Sequence, residues 1–230
     1  ANQRIHGPDY PYYIASEWAL PYRQQRIEAL LQANARHDPE SLRLIQADVV
    51  SLATQRLLPW LRKARPTHAL GAAASQRLAV FGGDMQAGDA APLIFAAWAR
   101  ELTRAVFADE LGGEESYLRQ IGRSDFRAGL EAVLERNDAW WCDDKTTPLK
   151  EVCAELVDRS LDRALEELRQ RLGPDIAKWQ WGALHQARSE HRPFSRVKAL
   201  APLFELRVGT GGDNYTVNVA RYHLKGEEPY

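Results

Sequence analysis

The sequence has almost no net charge: its 230 residues carry a formal charge of −1. Without a basic excess there is no electrostatic basis for binding nucleic acid or an anionic membrane surface. Long apolar runs are missing too, and none approaches the roughly 20 residues that cross a bilayer as a helix. No internal repeat and no low-complexity linker is present. The opening residues, ANQRIHGPDY, are neither a signal peptide nor a Met-initiated start, so an excised or processed segment is expected. Cysteine is scarce, and ten residues lie between Cys142 and Cys153. Zinc sites use tighter pairs with further ligands, so a zinc site is not expected. Two buried thiols and one short-loop disulfide both remain open. The second would imply an oxidising compartment such as a bacterial periplasm.

What is there is ordinary for a soluble globular protein: 45% hydrophobic and 27% charged residues. The length suits one large domain or two small ones. After a Tyr-, Pro- and Gly-rich loop (GPDYPYY), a helix is expected from Glu17 or Pro21 through YRQQRIEALLQANA. Asp38-Pro39 gives a second helix start, with Asp38 as N-cap. Leu42, Ile45, Val49 and Leu52, then Ala53, Leu57 and Leu61, follow helical spacing and mark one buried face, which Pro59 should kink or shorten. The apolar run LIFAAWARELTRAVFADEL predicts a core helix stopped by Gly112-Gly113, with the residues around Trp98 in the core. An amphipathic stretch follows from Glu114 to about Arg136. After the loop 140–148, a helix is expected from Leu149 to Leu172, with a stripe of Val157, Leu161, Leu165, Leu168 and Leu172. Only the ends resemble β structure: residues 1–10, and residues 206–222 as two short strands flanking a GTGGDN turn. The fold expected is mainly α, a single helical region over residues 1–230 with β material at about 1–10 and 206–222.

Several runs share an order that is specific in combination. ANQRI, YPYYIASEW and PYRQQRI, then WCDD with a later Cys, WQWGALHQARSEHRPFS and GTGGDNYTVN, resemble successive landmarks in the beta chain of penicillin acylases. The resemblance covers nearly the whole chain. It implies an interior segment of a larger αββα N-terminal-nucleophile hydrolase, made as a precursor that cuts itself. The nucleophile of that family is a freed N-terminal serine, activated by its own α-amino group, and it is not in this chain. A serine hydroxyl needs such a base to attack an amide, and an α-amino group titrates at about 8.

Residue by residue, Asn2 falls at the family's side-chain donor to the oxyanion, a task suited to an amide that donates without changing charge. Arg23 falls where the family places an arginine lining the cleft. Glu17 lies where the family uses an acid to help hold calcium, an ion that prefers oxygen ligands. The SEW run departs from the family spacing there, and a surface or helix-capping Glu is the other reading. Calcium belongs to the whole enzyme and is not needed for the chemistry. The resemblance also favours a Cys142–Cys153 disulfide and a periplasmic or secreted protein. The implied partners are the remainder of its own precursor and a small-molecule amide, such as a penicillin or an N-acyl-homoserine lactone. The piece alone is expected to be inactive.

Other constellations read as structural. His185 and His191 lack a completing ligand set and are expected to pack and hydrogen-bond. Asp143 and Asp144 precede a helix, where acids favour its dipole. GTGGDN lacks the strand-then-helix context of a phosphate loop and is expected to be a hairpin turn. The rival to the enzyme is a helical module that binds a protein partner and catalyses nothing.

Overall fold

Helices form where apolar side chains recur at helical spacing and where a capping residue starts them. The computed structural model describes residues 2–121 and 126–222. It places α1 at Tyr22–Gln32, α2 at Pro39–Gln46, α3 at Leu52–Leu61, α4 at Gly71–Val80 and α5 at Ala90–Phe107. Next come α6 at Glu114–Ile121, α7 at Arg127–Arg136 and α8 at Cys153–Leu172. Two four-residue helices, α9 at Trp181–Leu184 and α10 at Ala201–Phe204, accompany the strands β1 (Gln186–Ser189) and β2 (Leu206–Gly209). Among the described residues the chain is therefore mainly α.

Helix α5 forms the centre. Leu93, Ile94, Phe95, Trp98, Leu102 and Val106 are all buried, and Trp98 donates its indole N–H to the Val157 carbonyl at 3.2 Å. Helix α8 turns Leu156, Val157, Leu161, Leu165 and Leu168 into the same core. Burial of side chains this size, at about 1.5–3 kcal/mol each, is what holds the two helices together. The Cys142–Cys153 disulfide is formed, with 4.9 Å between the Cα atoms, and fixes the loop that enters α8.

Local capping decides several boundaries that periodicity alone misplaces. The single face expected from Leu42 to Leu61 is two helices. Asp38 caps α2 by accepting the Ser41 N–H at 2.7 Å, and Ser51 caps α3 by accepting from Thr54 at 3.1 Å. Between them the chain is extended: Val50 bridges to Asp84 and Ser51 N–H donates to the Gly83 carbonyl, leaving Leu42 exposed. Pro59 sits inside α3, which ends two residues later. Helix α8 begins at Cys153, not Leu149, because Glu151 is held in the preceding loop. Its N–H donates to Asp143 and its carboxylate accepts from Asp144 N–H, each at 3.0 Å. The stretch from Glu114 to Arg136 is two helices flanking residues 122–125, which lie outside the described residues.

The β expectations need more revision. No strand occurs among residues 2–10, and residues 215–222 are turns and irregular chain. Strand β2 forms where expected, but its antiparallel partner is β1, in register Gln186 with Gly209 and Ser189 with Leu206. GTGGDN is not a hairpin turn. It leaves β2 and threads against older backbone: Gly212 N–H donates to Met85 at 2.8 Å, and a Cβ on Gly211 would lie 2.6 Å from the Met85 carbonyl. Gly212 also has φ +85°, in the region open to glycine. Close backbone approach, not chain reversal, explains this glycine run.

Candidate functional site

The site is built on the first turn of α1 and the extended chain preceding it. Residues 2–21 lack helix or strand, and Ala19 N–H donates to the Asn2 carbonyl at 3.0 Å. That bond folds the segment back on itself. Arg23, in the first turn of α1, then reaches Asn2, its Nη2 donating to Asn2 Oδ1 at 3.2 Å. Two residues that sequence reasoning singled out separately, twenty-one positions apart, are thus brought together. A guanidinium has donors only, so it selects the oxygen of the Asn2 amide and turns the Nδ2 hydrogens away from itself. Asn2 is exposed and Arg23 half-buried.

Beneath Arg23 lies a polar cluster that the sequence reading did not find. Tyr22 donates its hydroxyl to Glu131 Oε2 at 2.5 Å. The other Glu131 oxygen accepts from Arg127 Nε at 2.7 Å, and both of these charged residues are about nine-tenths buried. Arg127 also donates to the Ala53 carbonyl and lies over the Tyr215 ring, 5.8 Å from its centroid. Tyr215 meets the Tyr22 ring edge-on at 5.9 Å. Burial and the Glu131 carboxylate both push the Tyr22 phenol upward, so it remains a neutral donor. One turn along α1, Arg26 binds Asp48 through both oxygens, at 3.0 and 2.6 Å. Asp213, fully buried nearby, has its carboxyl pushed up by burial, against hydrogen bonds from Ser51 and Tyr215 and the charge of Arg127. The only sequence signal for this cluster was the four-residue spacing of Arg127 and Glu131, which reads as an ordinary helix pair.

Glu17 is exposed, and no group of three or more acidic, His or Cys side chains that could hold a metal occurs among the described residues. Calcium coordination by Glu17 therefore requires oxygen ligands from elsewhere. His185 is the residue that ends α9, and His191 lies beyond β1. His185 is buried against Trp181, with Nδ1 2.8 Å from the Thr210 carbonyl and Nε2 3.1 Å from that of Ala220. Asp143 and Asp144 are structural, but they tie down the loop before α8 instead of serving its dipole. Asp144 accepts from the main chain and hydroxyl of Thr146, at 2.9 and 2.6 Å. No helix of the described residues is long and apolar enough to cross a membrane.

Comparison with known proteins adds an independent line. The family model for penicillin amidase matches residues 1–229. The chain is 30% identical to the acyl-homoserine lactone acylase QuiP of Pseudomonas aeruginosa, over 96% of this chain and 30% of that protein. It is 33% identical to QuiP of Pseudomonas putida, over 82% of this chain and 25% of that protein. With the penicillin acylase 2 proenzyme of Pseudomonas sp. it shares 29%, over 94% of this chain and 27% of that protein. The chain thus spans under a third of the length of these curated relatives. Among solved structures, a thermostable penicillin G acylase from Alcaligenes faecalis superposes with a TM-score of 0.54 at 17% identity. The match covers 89% of this chain and 42% of that one, and shows a shared fold.

Proposed function

The chain belongs to the penicillin amidase family, and from that premise we propose that it is the oxyanion-binding part of an acylase that hydrolyses linear amides. The observation that carries the proposal is the Arg23–Asn2 contact at 3.2 Å. In the reaction, a serine supplied by the polypeptide outside these residues attacks the amide carbonyl, and negative charge builds on its oxygen. The Asn2 Nδ2 hydrogens meet that charge. Arg23 holds the Asn2 amide in the orientation that presents nitrogen to substrate, so no reorganisation is needed as charge develops.

The relatives' names support N-acyl-homoserine lactones and penicillins as the substrate classes. The superposition on a penicillin acylase supports an αββα N-terminal-nucleophile architecture for the whole protein, and the relative named a proenzyme supports a self-cleaving precursor whose remainder completes the site. This piece alone is inactive on this reading. The Cys142–Cys153 disulfide supports a periplasmic or secreted location. Calcium, if the family's site is retained, takes Glu17 as one oxygen ligand. A purely protein-binding helical module is not favoured, because the family match runs through the whole chain. The test is hydrolysis by the full-length processed protein. Release of homoserine lactone from N-acyl-homoserine lactones, or of the β-lactam nucleus from penicillins, is expected; no turnover across a panel of linear amides overturns the proposal.

A further inference from the structure

Helix α1 carries Arg23, yet none of its eleven residues is buried. Its N-cap position is Pro21, which makes no side-chain capping bond. A helix this short is marginal by itself in water, and α1 has no fully buried apolar face to hold it, since Ile27 and Leu30 are only half-buried. Beyond that partial packing, two polar clasps on either side of Arg23 tie it down. The first is the Tyr22 hydroxyl on Glu131, at 2.5 Å. The second is the two-pronged Arg26–Asp48 pair, one turn later.

The ends of both clasps are fixed more firmly than α1 itself. Glu131 is buried on α7 and locked by Arg127, which in turn donates to the Ala53 carbonyl of α3. Asp48 accepts from Val50 N–H at 3.3 Å, and its main-chain carbonyl accepts from Asn218 N–H at 2.9 Å. A tyrosine in this place does what a phenylalanine cannot: it packs its ring edge-on to Tyr215 and also fixes the helix axially through a hydrogen bond to a buried carboxylate. The hydroxyl is kept protonated, since burial and Glu131 both raise its pKa.

We propose that Tyr22 is a positioning residue for the Arg23–Asn2 pair, acting through the Tyr22–Glu131–Arg127 chain, with Arg26–Asp48 as the second support of the same helix. The inference rests on the acylase reading of Asn2 and deepens it. Loss of the Tyr22 hydroxyl lets the first turn of α1 shift, and Arg23 with it. The Asn2 amide then loses its fixed orientation, whereas the substrate's binding surface is untouched. A misplacement of about 1 Å in a reacting group can lower the rate by about a hundredfold.

The experiment is a double-mutant cycle in the full-length processed enzyme with an N-acyl-homoserine lactone as substrate. Tyr22→Phe is expected to lower kcat by about ten- to a hundredfold, with KM changed less than about twofold. In an Arg23→Ala background the same substitution should have no further effect on kcat. Asp48→Asn, which weakens the other clasp, should show the same dependence on Arg23 and keeps the test open if Tyr22→Phe folds poorly. An Arg23→Ala enzyme that is slowed while Tyr22→Phe and Asp48→Asn are not overturns the positioning role and leaves the acylase reading standing. Equal losses with and without Arg23 overturn it too, because they mark general destabilisation. Unchanged turnover in Asn2→Ala is a different failure: it removes the acylase reading of this site and the positioning role with it.

Discussion

Replacing Arg127 with methionine tests the buried cluster beneath the site. Methionine keeps most of the side-chain volume, so the cavity contribution is small. What is lost is the partner of a carboxylate. Among the described residues Glu131, 8% exposed, would keep only the Tyr22 hydroxyl, and the Ala53 carbonyl would lose its guanidinium donor. Removing one member of a buried ion pair typically costs about 3–5 kcal/mol, mostly from the charge left behind. Asp213 adds a pH signature. Its carboxyl is already pushed above the ordinary value by burial, and Arg127 opposes that shift. Without Arg127 it rises further, and a raised carboxyl costs stability as pH increases through the gap between its unfolded and folded values. The deficit of Arg127→Met, read from denaturant midpoints, should therefore be smaller at pH 5 than at pH 7.5. Adding Glu131→Leu should recover a large part of it, since an apolar pair can replace a buried ionic one. A deficit below about 1 kcal/mol, one that grows on acidification, or no recovery in the double variant would refute this account of the cluster.

Leu161→Ala, at a fully buried position between α8 and α5, should cost about 3 kcal/mol or more in denaturant unfolding, from lost burial plus a residual cavity. Replacing Cys142 and Cys153 together by serine should cost roughly 3 kcal/mol through the freed loop, and heating the reduced wild type should give a similar shift. Burial holds the His185 imidazole below its ordinary value, so the stability it contributes is complete above pH ~6.5 and is lost as pH falls toward the folded value. Melting temperatures between about pH 7.5 and 5 should fall more steeply in the wild type than in His185→Gln.

The helices were legible where one physical signal dominated. Helix α5 and the stripe of α8 are long enough for hydrophobic periodicity to place them, and Asp38-Pro39 announced α2 through capping chemistry. Boundaries went astray where caps and tertiary bonds compete with that periodicity, as at Ser51 and Glu151. Helix α4 carried little signal, since its alanine-rich sequence turns few large side chains inward. The alternating run YTVNVARY suggested a strand because alternation cannot reveal whether a partner lies beside it. Its backbone instead meets Asp48 through Asn218, and Tyr222 packs edge-on against Trp181. Asn2 and Arg23 were accessible through resemblance alone, as neither type at that spacing implies contact. The supports of α1 were not accessible at all: Tyr22, Glu131 and Asp48 come from three distant stretches, and only the fold joins them.

The most direct measurement compares steady-state hydrolysis of an N-acyl-homoserine lactone by the full-length processed protein and its Asn2→Ala variant. The account predicts a fall in kcat of about 10²–10³-fold, the loss typical of one oxyanion donor, with an unchanged melting temperature. A variant that turns over substrate at the wild-type rate would contradict the central claim.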